Sequence, residues 1–410
     1  MKIACIMTVF PSVTEIFVYG DLVALREAGH EIGILHFIEG SQEIWQEDAA
    51  ALRAEVIRGG PLVSPAALGA LLATLIRRPL RSISTLAWIA LRSGPSLRGR
   101  LKTLGVLPKC ALFAADCRRW GADQVHATWA NHAAVAGLVI ERLSGIPFSV
   151  SAHAGQDVFR EPVMLREKVR AARFVAVCNG AAHQRLLEIA GPGCGAKLHH
   201  VPHGVRLDRF PFVARDGAAA LGGPRRILFV GRFHRAKGTA HLIEATRILR
   251  DRGIDVRVEL LGDGPEAAAL REQIAHLELE SVVRMHGAVS QQVVKQELAR
   301  ADVLALPSEI RPDGARDGLP NVILEAMASG TPVVASRVSA VEEAVENDVT
   351  GLLVPQRDPA ALAAALRRVL EDRSCAERLT VAAREQVQQR FDRAVCTARF
   401  VQLFERSGMG

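Results

Sequence analysis

The sequence alternates short, continuous apolar runs with helical periods, and this alternation constrains the fold more than any other feature. The first half begins with the apolar run KIACIMTVF, continues into a helical stretch that ends at Gly29, and then repeats the pattern. The second half restarts with the run RRILFVGRF and repeats it again. Apolar runs between helices are typical of parallel strands that are covered on both faces. We therefore predict an α/β fold made of two Rossmann-like domains.

A polar stretch rich in small residues, 213–226, separates the two halves and is the best candidate for a linker. A chain of 410 residues also exceeds the size at which a single hydrophobic core keeps growing. We predict an N-terminal domain over residues 1–212, a C-terminal domain over 225–385, and a helical tail over 386–410 that packs back on the N-terminal domain. Ligands of such sheets lie beyond the carboxyl ends of the strands, and we expect them in a cleft between the domains.

The composition is that of an ordinary globular protein, with 49% apolar and 23% charged residues. Neither wholesale disorder nor a multi-span membrane protein is therefore expected. The seven cysteines are scattered and form no CxxC pair, which argues against a disulfide framework and against a structural zinc site. The N-terminus enters an apparent strand without the regions of a secretory signal, so we expect a cytoplasmic protein.

The net charge of +7 comes from one segment, residues 56–115, which contains no Asp or Glu. Without its nine basic residues the chain has 42 Lys and Arg against 44 Asp and Glu, and these nine are Arg58, Arg77, Arg78, Arg81, Arg92, Arg98, Arg100, Lys102 and Lys109. The segment also has apolar stretches that are too short or too interrupted to span a bilayer. An apolar face with cationic flanks is typical of a helix on an anionic membrane, and a solvated basic rim on packed helices is the alternative. Nucleic acid is disfavoured as a partner because aromatic residues barely interleave with these charges.

The first candidate site is GRFHRAKG, residues 231–238, which follows an apolar run and precedes a helical period. A glycine at the end of a strand lets backbone amides and a helix N-terminus approach an anion closely. Arg232 and Lys237 flank this turn, where they could neutralise a diphosphate. On this segment alone, a polar loop with two solvated cations is the alternative.

The second candidate site is DGLPNVILEAMASGTPVVAS, residues 317–336. Its turn at 318–320 should present backbone amides at the start of the helix that holds Glu325, and amides together with the helix dipole suit a phosphate. A carboxylate one or two turns along suits the paired hydroxyls of a ribose or hexose. Glu325 interrupts an otherwise apolar helix face, and a buried carboxylate needs hydrogen-bond donors. The alternative is that Asp317 caps the helix and Glu325 points outward into solvent.

Nearly the whole chain resembles the retaining glycosyltransferases of family four, in particular the bacterial exopolysaccharide enzymes of the colanic-acid type. The resemblance rests on an ordered set of blocks that includes VHATWANHAAVAGLVIERLSGIPFSVSAHAGQDVF, VPHGVRLDRF, GRFHRAKGTAHLIEA, LGDGPE, DGLPNVILEAMASGTPVVAS and VTGLLVP. It implies a GT-B fold with a C-terminal helix that crosses back to the N-terminal domain. It also implies retaining transfer from a UDP- or GDP-sugar to a saccharide or lipid-linked saccharide in surface polysaccharide biosynthesis.

Two other functions remain open from the sequence. One is a nucleotide-sugar-binding subunit of a polysaccharide assembly complex that does not turn over. The other is a Rossmann dehydrogenase, which fits less well because LGDGPEAAAL lacks the third glycine of the dinucleotide fingerprint.

The resemblance also implies roles for single residues. Arg232 and Lys237 match the pair that contacts the donor diphosphate, and Glu325 matches the acid that binds the nucleotide ribose. Asp317 stands where the family usually has a glutamate, and His153 matches the histidine beside the donor sugar; with Arg232 and Lys237 these form the predicted catalytic set. The other predicted donor-binding residues are Gly231, Gly262, Gly318, Leu319, Pro320 and Asn321. The predicted acceptor or sugar side consists of Thr14, His153 and Asp157.

Transfer from a nucleotide sugar develops negative charge on the leaving diphosphate, so fixed cations are the main catalytic need. Arg232 and Lys237 would meet this need without a metal, and we find no Asp-any-Asp pair at a strand end that would hold a divalent ion. A hydrolase would need two carboxylates that flank one bond, whereas Asp317 and Glu325 lie on one loop and helix. We therefore expect a transferase with no metal and no cofactor other than its nucleotide-sugar substrate.

Overall fold

The structure is a computed structural model, and it describes residues 1–12, 16–40, 47–93, 97–153, 156–160, 162–213, 223–312, 314, 316, 318–338 and 340–408. Over these ranges the chain divides into two compact units, Met1–Pro202 with Thr397–Gly410 and His203–Cys396. The boundaries differ from those predicted. The first unit ends at Pro202 rather than at residue 212, and the tail that belongs to it begins at Thr397 rather than at 386.

The first unit is built on a parallel sheet. Its strands are β1 (Lys2–Phe10), β2 (Glu31–Glu39), β3 (Val56–Arg58), β4 (Gln124–Ala127), β5 (Phe148–Ala152), β6 (Val175–Val177) and β7 (Leu198–His200). In the described part of the unit these seven lie in the order β3-β2-β1-β4-β5-β6-β7. Its helices are α1 (Ile16–Glu27), α2 (Glu47–Ala51), α3 (Pro65–Arg77), α4 (Pro79–Arg92), α5 (Leu97–Gly105), α6 (Leu107–Trp120), α7 (His132–Ser144), α8 (Leu165–Ala171) and α9 (Gly180–Ala190). Strand β1 is fully buried from Ile3 to Met7, as expected for a central strand of a sheet covered on both faces.

Two asparagines fix the helices that follow β4 and β6. Asn131 caps α7, because its side chain accepts a hydrogen bond from the amide of Ala133 at 2.9 Å. Asn179 caps α9 in the same way and accepts from the amide of Ala182 at 2.8 Å. Both helices start directly after a strand, so their N-termini lie at the carboxyl edge of the sheet, where ligands of parallel sheets bind.

The helices α3 and α4 expose several large apolar side chains and bury some polar ones. On α4 the polar residues Ser82 and Thr85 are buried, and on α3 the polar residue Thr74 is buried. The exposed apolar residues are Leu68, Leu72 and Ile76 on α3, and Leu80, Ile83 and Leu91 on α4. Within the described ranges, no helix has both the length and the apolar character needed to cross a bilayer.

The second unit is also built on a parallel sheet. Its strands are β8 (Arg225–Val230), β9 (Val256–Leu261), β10 (Val283–Gly287), β11 (Val303–Leu306), β12 (Val333–Ser336) and β13 (Leu352–Val354). These six are in the order β10-β9-β8-β11-β12-β13 in the part of the unit that is described. Its helices are α10 (Thr239–Asp251), α11 (Ala267–His276), α12 (Gln291–Arg300), α13 (Asn321–Ser329), α14 (Val341–Ala344), α15 (Pro359–Glu371) and α16 (Arg373–Arg390). The core lies between the helices and both faces of the sheet, as the continuous apolar strands predict.

The last helix, α17 (Arg393–Gly408), belongs to the first unit from Thr397 onward. Phe404 is buried and packs edge-on against Phe174, with ring centroids 5.1 Å apart. Ser407 Oγ donates a hydrogen bond to Gln124 Oε1 at the start of β4, at 2.8 Å. The C-terminal helix therefore packs on the sheet of the N-terminal unit, as predicted.

Candidate functional site

The loop after β8 is held against the end of β9 by a close approach of two glycines. The amide of Gly231 donates to the carbonyl of Leu261 at 3.0 Å. A Cβ atom at Gly262 would lie 1.9 Å from the carbonyl oxygen of Gly231, and Gly262 has a φ of +151°. Only glycine fits at position 262, so the LGDGPE block is needed for this contact between two strand ends.

Lys237 lies alongside Gly231. It is the last residue of a single helical turn, Arg235–Lys237, whose start is capped by His234: Nδ1 of His234 accepts a hydrogen bond from the amide of Ala236 at 3.2 Å. A Cβ atom on Gly231 would be 3.6 Å from both Cδ and Cε of Lys237, so the lysine stem packs over this glycine. Arg232, the next residue after Gly231, is exposed. Both predicted cations therefore stand at the carboxyl end of β8.

The same loop is tied to the segment that follows β11. A Cβ atom at Gly238, which has a φ of +65°, would lie 1.8 Å from the carbonyl oxygen of Pro307. The amide of Glu309 donates to the carbonyl of Ala236 at 2.9 Å. Because β8 and β11 are neighbouring strands, these contacts join the loops at their carboxyl ends.

The segment after β11 leads into α13 and to Glu325. Pro320 is the N-cap residue of α13 and offers no side-chain cap, and Asn321 is its exposed first residue. The amides at the start of α13 therefore gain no side-chain partner from the cap. Gly318 and Leu319 precede it at the same edge of the sheet. Two predicted residues, Asp317 and Thr14, lie outside the described residues.

Glu325 is half-buried on α13, so it is not the outward, solvated carboxylate of the alternative interpretation. Burial raises the pKa of Glu325 to about 7, and a hydrogen bond from Gln291 lowers it only in part. That bond is long, with 3.4 Å between Gln291 Nε2 and Glu325 Oε1. A carboxylate in this position is stabilised by further donors, and the hydroxyls of a sugar would supply them.

In the first unit, His153 follows β5 and packs in an aromatic cage. Its ring centroid lies 4.4 Å from that of Trp129 and 5.0 Å from that of Phe17. Nε2 donates a hydrogen bond to the carbonyl of Thr128 at 2.7 Å. Burial lowers the pKa of His153 below its ordinary value, although Asp157 and the Thr128 carbonyl act in the opposite direction. The imidazole is therefore neutral at neutral pH.

Asp157, which is predicted to lie on the sugar or acceptor side, is held by two backbone amides. Its side chain is buried, and Oδ2 accepts hydrogen bonds from the amides of His153 at 2.9 Å and Ala130 at 3.3 Å. Asp157 thus joins the loop after β4 to the loop after β5. It therefore positions the backbone of His153, and its Oδ1 is buried without a hydrogen-bond partner among the described residues.

Sequence reasoning missed Lys168 on α8, which lies next to this carboxylate. Its Nζ donates to the carbonyls of Ala130 at 2.8 Å and Asn131 at 2.7 Å. Burial lowers the pKa of Lys168 to about 7, and Asp157 and Glu167 offset part of that effect. A lysine in the polar segment LREKVRA reads as a solvated side chain, so no sequence signal marks it.

Comparisons with known proteins define the class of this fold. The structure superposes over 99% of the chain on all of Anabaena Alr3699/HepE, solved in complex with UDP-glucose, with a TM-score of 0.71 and 20% sequence identity. Together with the two parallel-sheet units, this similarity establishes the GT-B fold of glycosyltransferases.

Sequence comparisons then give the family. Residues 224–372 match the family described as Glycosyl transferases group 1. The amylovoran biosynthesis glycosyltransferase AmsK of Erwinia amylovora is 31% identical over 309 residues, which cover 72% of this chain and 73% of the relative. The putative colanic acid biosynthesis glycosyltransferase WcaL of Escherichia coli K12 is 28% identical over 420 residues, which cover 99% of this chain and all of the relative. The chain belongs to the group 1 glycosyltransferases, and the family resemblance predicted from its sequence blocks is confirmed.

Proposed function

We propose that this glycosyltransferase moves a sugar from a UDP- or GDP-sugar to a saccharide or lipid-linked saccharide in surface polysaccharide biosynthesis, with retention of configuration. Two relatives are named for amylovoran and colanic acid biosynthesis, and a structural neighbour holds UDP-glucose. One observation carries the proposal for the donor. The loop with Arg232 and Lys237 and the start of α13 follow the carboxyl ends of the adjacent strands β8 and β11.

In this proposal the second unit handles the negative charge of the donor. Arg232 and Lys237 bind the diphosphate, and the amides of Gly318, Leu319 and Asn321 add the positive end of α13. The same groups stabilise the charge that grows on the leaving nucleotide as the glycosidic bond breaks. Glu325 accepts hydrogen bonds from the ribose hydroxyls, which favour its ionised form.

The sugar side is proposed to rest on groups of the first unit. His153 is neutral and caged by aromatic rings, so it offers a hydrogen-bonding surface without placing a charge beside the reacting sugar. Asp157 fixes its backbone. Asp317 and Thr14 retain the roles that the resemblance implies, Asp317 in the catalytic set and Thr14 on the acceptor or sugar side.

A product assay with the full-length chain tests the donor proposal. UDP- and GDP-sugars are incubated with a saccharide acceptor, and nucleotide release and product anomeric configuration are measured. We expect turnover in the wild type, a strong loss in Lys237→Ala, and no loss in Arg252→Ala, which removes an exposed arginine at the end of α10. Nucleotide binding without any turnover of these donors would instead favour the non-catalytic binding subunit.

We further propose that catalysis needs no divalent metal, because Arg232 and Lys237 supply the positive charge. Activity is expected to survive treatment with a chelator. Loss of activity that manganese or magnesium restores would overturn this part of the proposal.

We also propose that α3 and α4 lie on the anionic cytoplasmic face of the inner membrane. A solvated basic rim would keep its large apolar side chains buried, whereas these two helices expose six of them. Ile76 is 71% exposed and Leu80 is 85% exposed. The exposed cations Arg77 and Arg81 lie beside them, in a segment without a single carboxylate. Apolar insertion flanked by cations matches the interface of an anionic membrane.

Sedimentation with vesicles that contain phosphatidylglycerol tests this contact. Charge reversal by Arg77→Glu with Arg81→Glu is expected to release the protein, and Ile76→Asn with Leu80→Asn is expected to do the same. Arg78 is left unchanged because its guanidinium donates to the carbonyl of Leu143 at 2.9 Å. Arg252→Glu in the second unit serves as the control. Binding that is unchanged in both double variants would rule out this surface.

A further inference from the structure

A cavity of the second unit lies at the start of α10, and the predicted donor residues are not among its lining residues. Its volume is about 470 Å³, within the range of small-molecule sites. Its walls include Arg235, Thr239, His241, Glu309, Arg311 and Arg357. Arg232, Lys237 and Glu325 are not among the residues that line it. We call it the α10 cavity.

The α10 cavity and Glu325 lie on helices that pack against different neighbours. Helix α10 packs against α11 and α15, and the walls of the cavity come from α10, from α11 and from the loops after β8, β11 and β13. Helix α13, which holds Glu325, packs instead against α12 and α16. A ligand in the α10 cavity would therefore occupy a site separate from the Glu325 carboxylate.

One residue in the wall of this cavity has a buried hydroxyl without a hydrogen-bond partner among the described residues. Thr239, the first residue of α10, is 4% exposed, and its Oγ1 has no hydrogen-bond partner among the described residues. A buried hydroxyl without a partner costs free energy, and buried polar groups in native proteins are nearly always paired. A ligand that accepts a hydrogen bond from Thr239 would remove this cost.

The start of α10 adds a second feature that favours an anion. Its N-cap is Gly238, which provides no side-chain cap for the amides of the first turn. Helix α10 is 13 residues long, so its N-terminus carries a substantial partial positive charge. Uncapped amides, a helix dipole and a hydroxyl donor are the groups that bind phosphate.

The cations around the cavity are held in place by buried and partly buried acids. Glu309 is buried and accepts hydrogen bonds from Arg311, from Arg357 Nε at 2.6 Å and from His241 Nε2 at 3.3 Å. Burial alone raises the pKa of Glu309, but these three bonds outweigh it, so the pKa lies below its ordinary value. Glu309 is therefore ionised and fixes both guanidinium groups. Arg235 is held in the same manner by Glu266 at 3.3 Å.

We propose that the α10 cavity binds the phosphate group of a small phosphomonoester. The phosphate accepts hydrogen bonds from the Thr239 hydroxyl and the first amides of α10, and Arg235 and Arg357 donate to its remaining oxygens. The cavity volume leaves room for a sugar-sized group attached to the phosphate. This site is distinct from the donor site, so its ligand and a nucleotide can be bound together.

Isothermal titration calorimetry of the full-length chain, in chloride buffer, tests the proposal with three probes. The probes are glucose 6-phosphate, inorganic phosphate and glucose. We expect saturable binding of glucose 6-phosphate and none of glucose. Equal affinity for inorganic phosphate would identify the bare ion as sufficient, whereas much weaker binding would show that the attached group contributes.

Matched variants locate that binding. Thr239→Val removes the hydroxyl at nearly constant volume and Arg357→Gln removes a guanidinium; each is expected to weaken glucose 6-phosphate binding by about tenfold, because each loses a hydrogen bond to a charged group. Thr239→Ser keeps the hydroxyl and should bind like the wild type, as should Arg252→Gln. The affinity for UDP or GDP should be unchanged in Thr239→Val.

Three results would overturn the proposal. One is the absence of saturable binding of both phosphate-bearing probes to the wild type. Another is full affinity in both Thr239→Val and Arg357→Gln. The third is competition between glucose 6-phosphate and the nucleotide, which would place the phosphate in the donor site and leave the proposed glycosyltransferase function intact.

Discussion

The two units place their charged groups in opposite ways at the carboxyl edges of their sheets. In the second unit, Arg232 is exposed and Lys237 packs alongside Gly231, directly after a strand. In the first unit, Asp157 and Lys168 are buried and bind backbone groups of the loops after β4 and β5. The difference separates two uses of charge. Accessible cations can bind an anionic leaving group, whereas buried charges fix the shape of the loops that carry a neutral histidine.

The largest expected effect comes from removing both accessible cations. Arg232→Ala with Lys237→Ala should lower kcat/KM by roughly 10³- to 10⁴-fold, because each cation is proposed to stabilise charge on the leaving diphosphate. Steady-state kinetics with the preferred nucleotide sugar measure this loss. The thermal midpoint should stay near that of the wild type. A loss of less than tenfold in kcat/KM would contradict the proposed difference between the two units, because the accessible cations would then contribute little to catalysis.

The buried lysine should affect stability rather than chemistry. Lys168→Met leaves the carbonyls of Ala130 and Asn131 without their donor and should lower the free energy of unfolding of the first unit by about 3 kcal/mol. Lys237→Met, at an accessible site, should change it by less than about 1 kcal/mol. Urea unfolding followed by circular dichroism compares the two variants. Equal losses in both would show that burial does not distinguish the two lysines.

The pH dependence of nucleotide binding sharpens the description of the second unit. The pKa of Glu325 is raised to about 7 in the free protein, and ribose hydroxyls that donate to the carboxylate should lower it in the complex. Binding then releases a proton below pH 7, so the affinity should fall by about tenfold from pH 8 to pH 6. Calorimetry at several pH values measures this change in nucleotide affinity. The dependence should vanish in Glu325→Gln, and its persistence there would assign the titration to another group.

The fold and the position of Arg232 and Lys237 after a strand could be predicted because their signals are local. The apolar runs of β1 and β8 are continuous in sequence, and Arg232 and Lys237 lie within one eight-residue loop. The position of Glu325 in an otherwise apolar helix face is a local signal for burial of its carboxylate.

Other features depend on partners that are distant in sequence, and local patterns do not show them. Lys168 binds the carbonyls of Ala130 and Asn131, and Glu309 binds cations from three separate segments. The sequence also does not show which face of α4 is buried. A helix that buries Ser82 and Thr85 has the same sequence period as one that exposes them. The boundary near residue 202 was missed since the polar stretch at 213–226 marks a linker by composition alone.

The most direct test asks whether Arg232, Lys237 and Glu325 bind one nucleotide. Calorimetry compares whichever of UDP and GDP the wild type binds with the matching nucleoside, in Lys237→Ala and in Glu325→Gln. We predict that Lys237→Ala weakens binding of the nucleoside diphosphate but not of the nucleoside, while Glu325→Gln weakens both. Full affinity for the diphosphate in either variant would contradict the account, because the cation and the carboxylate would then not share a ligand.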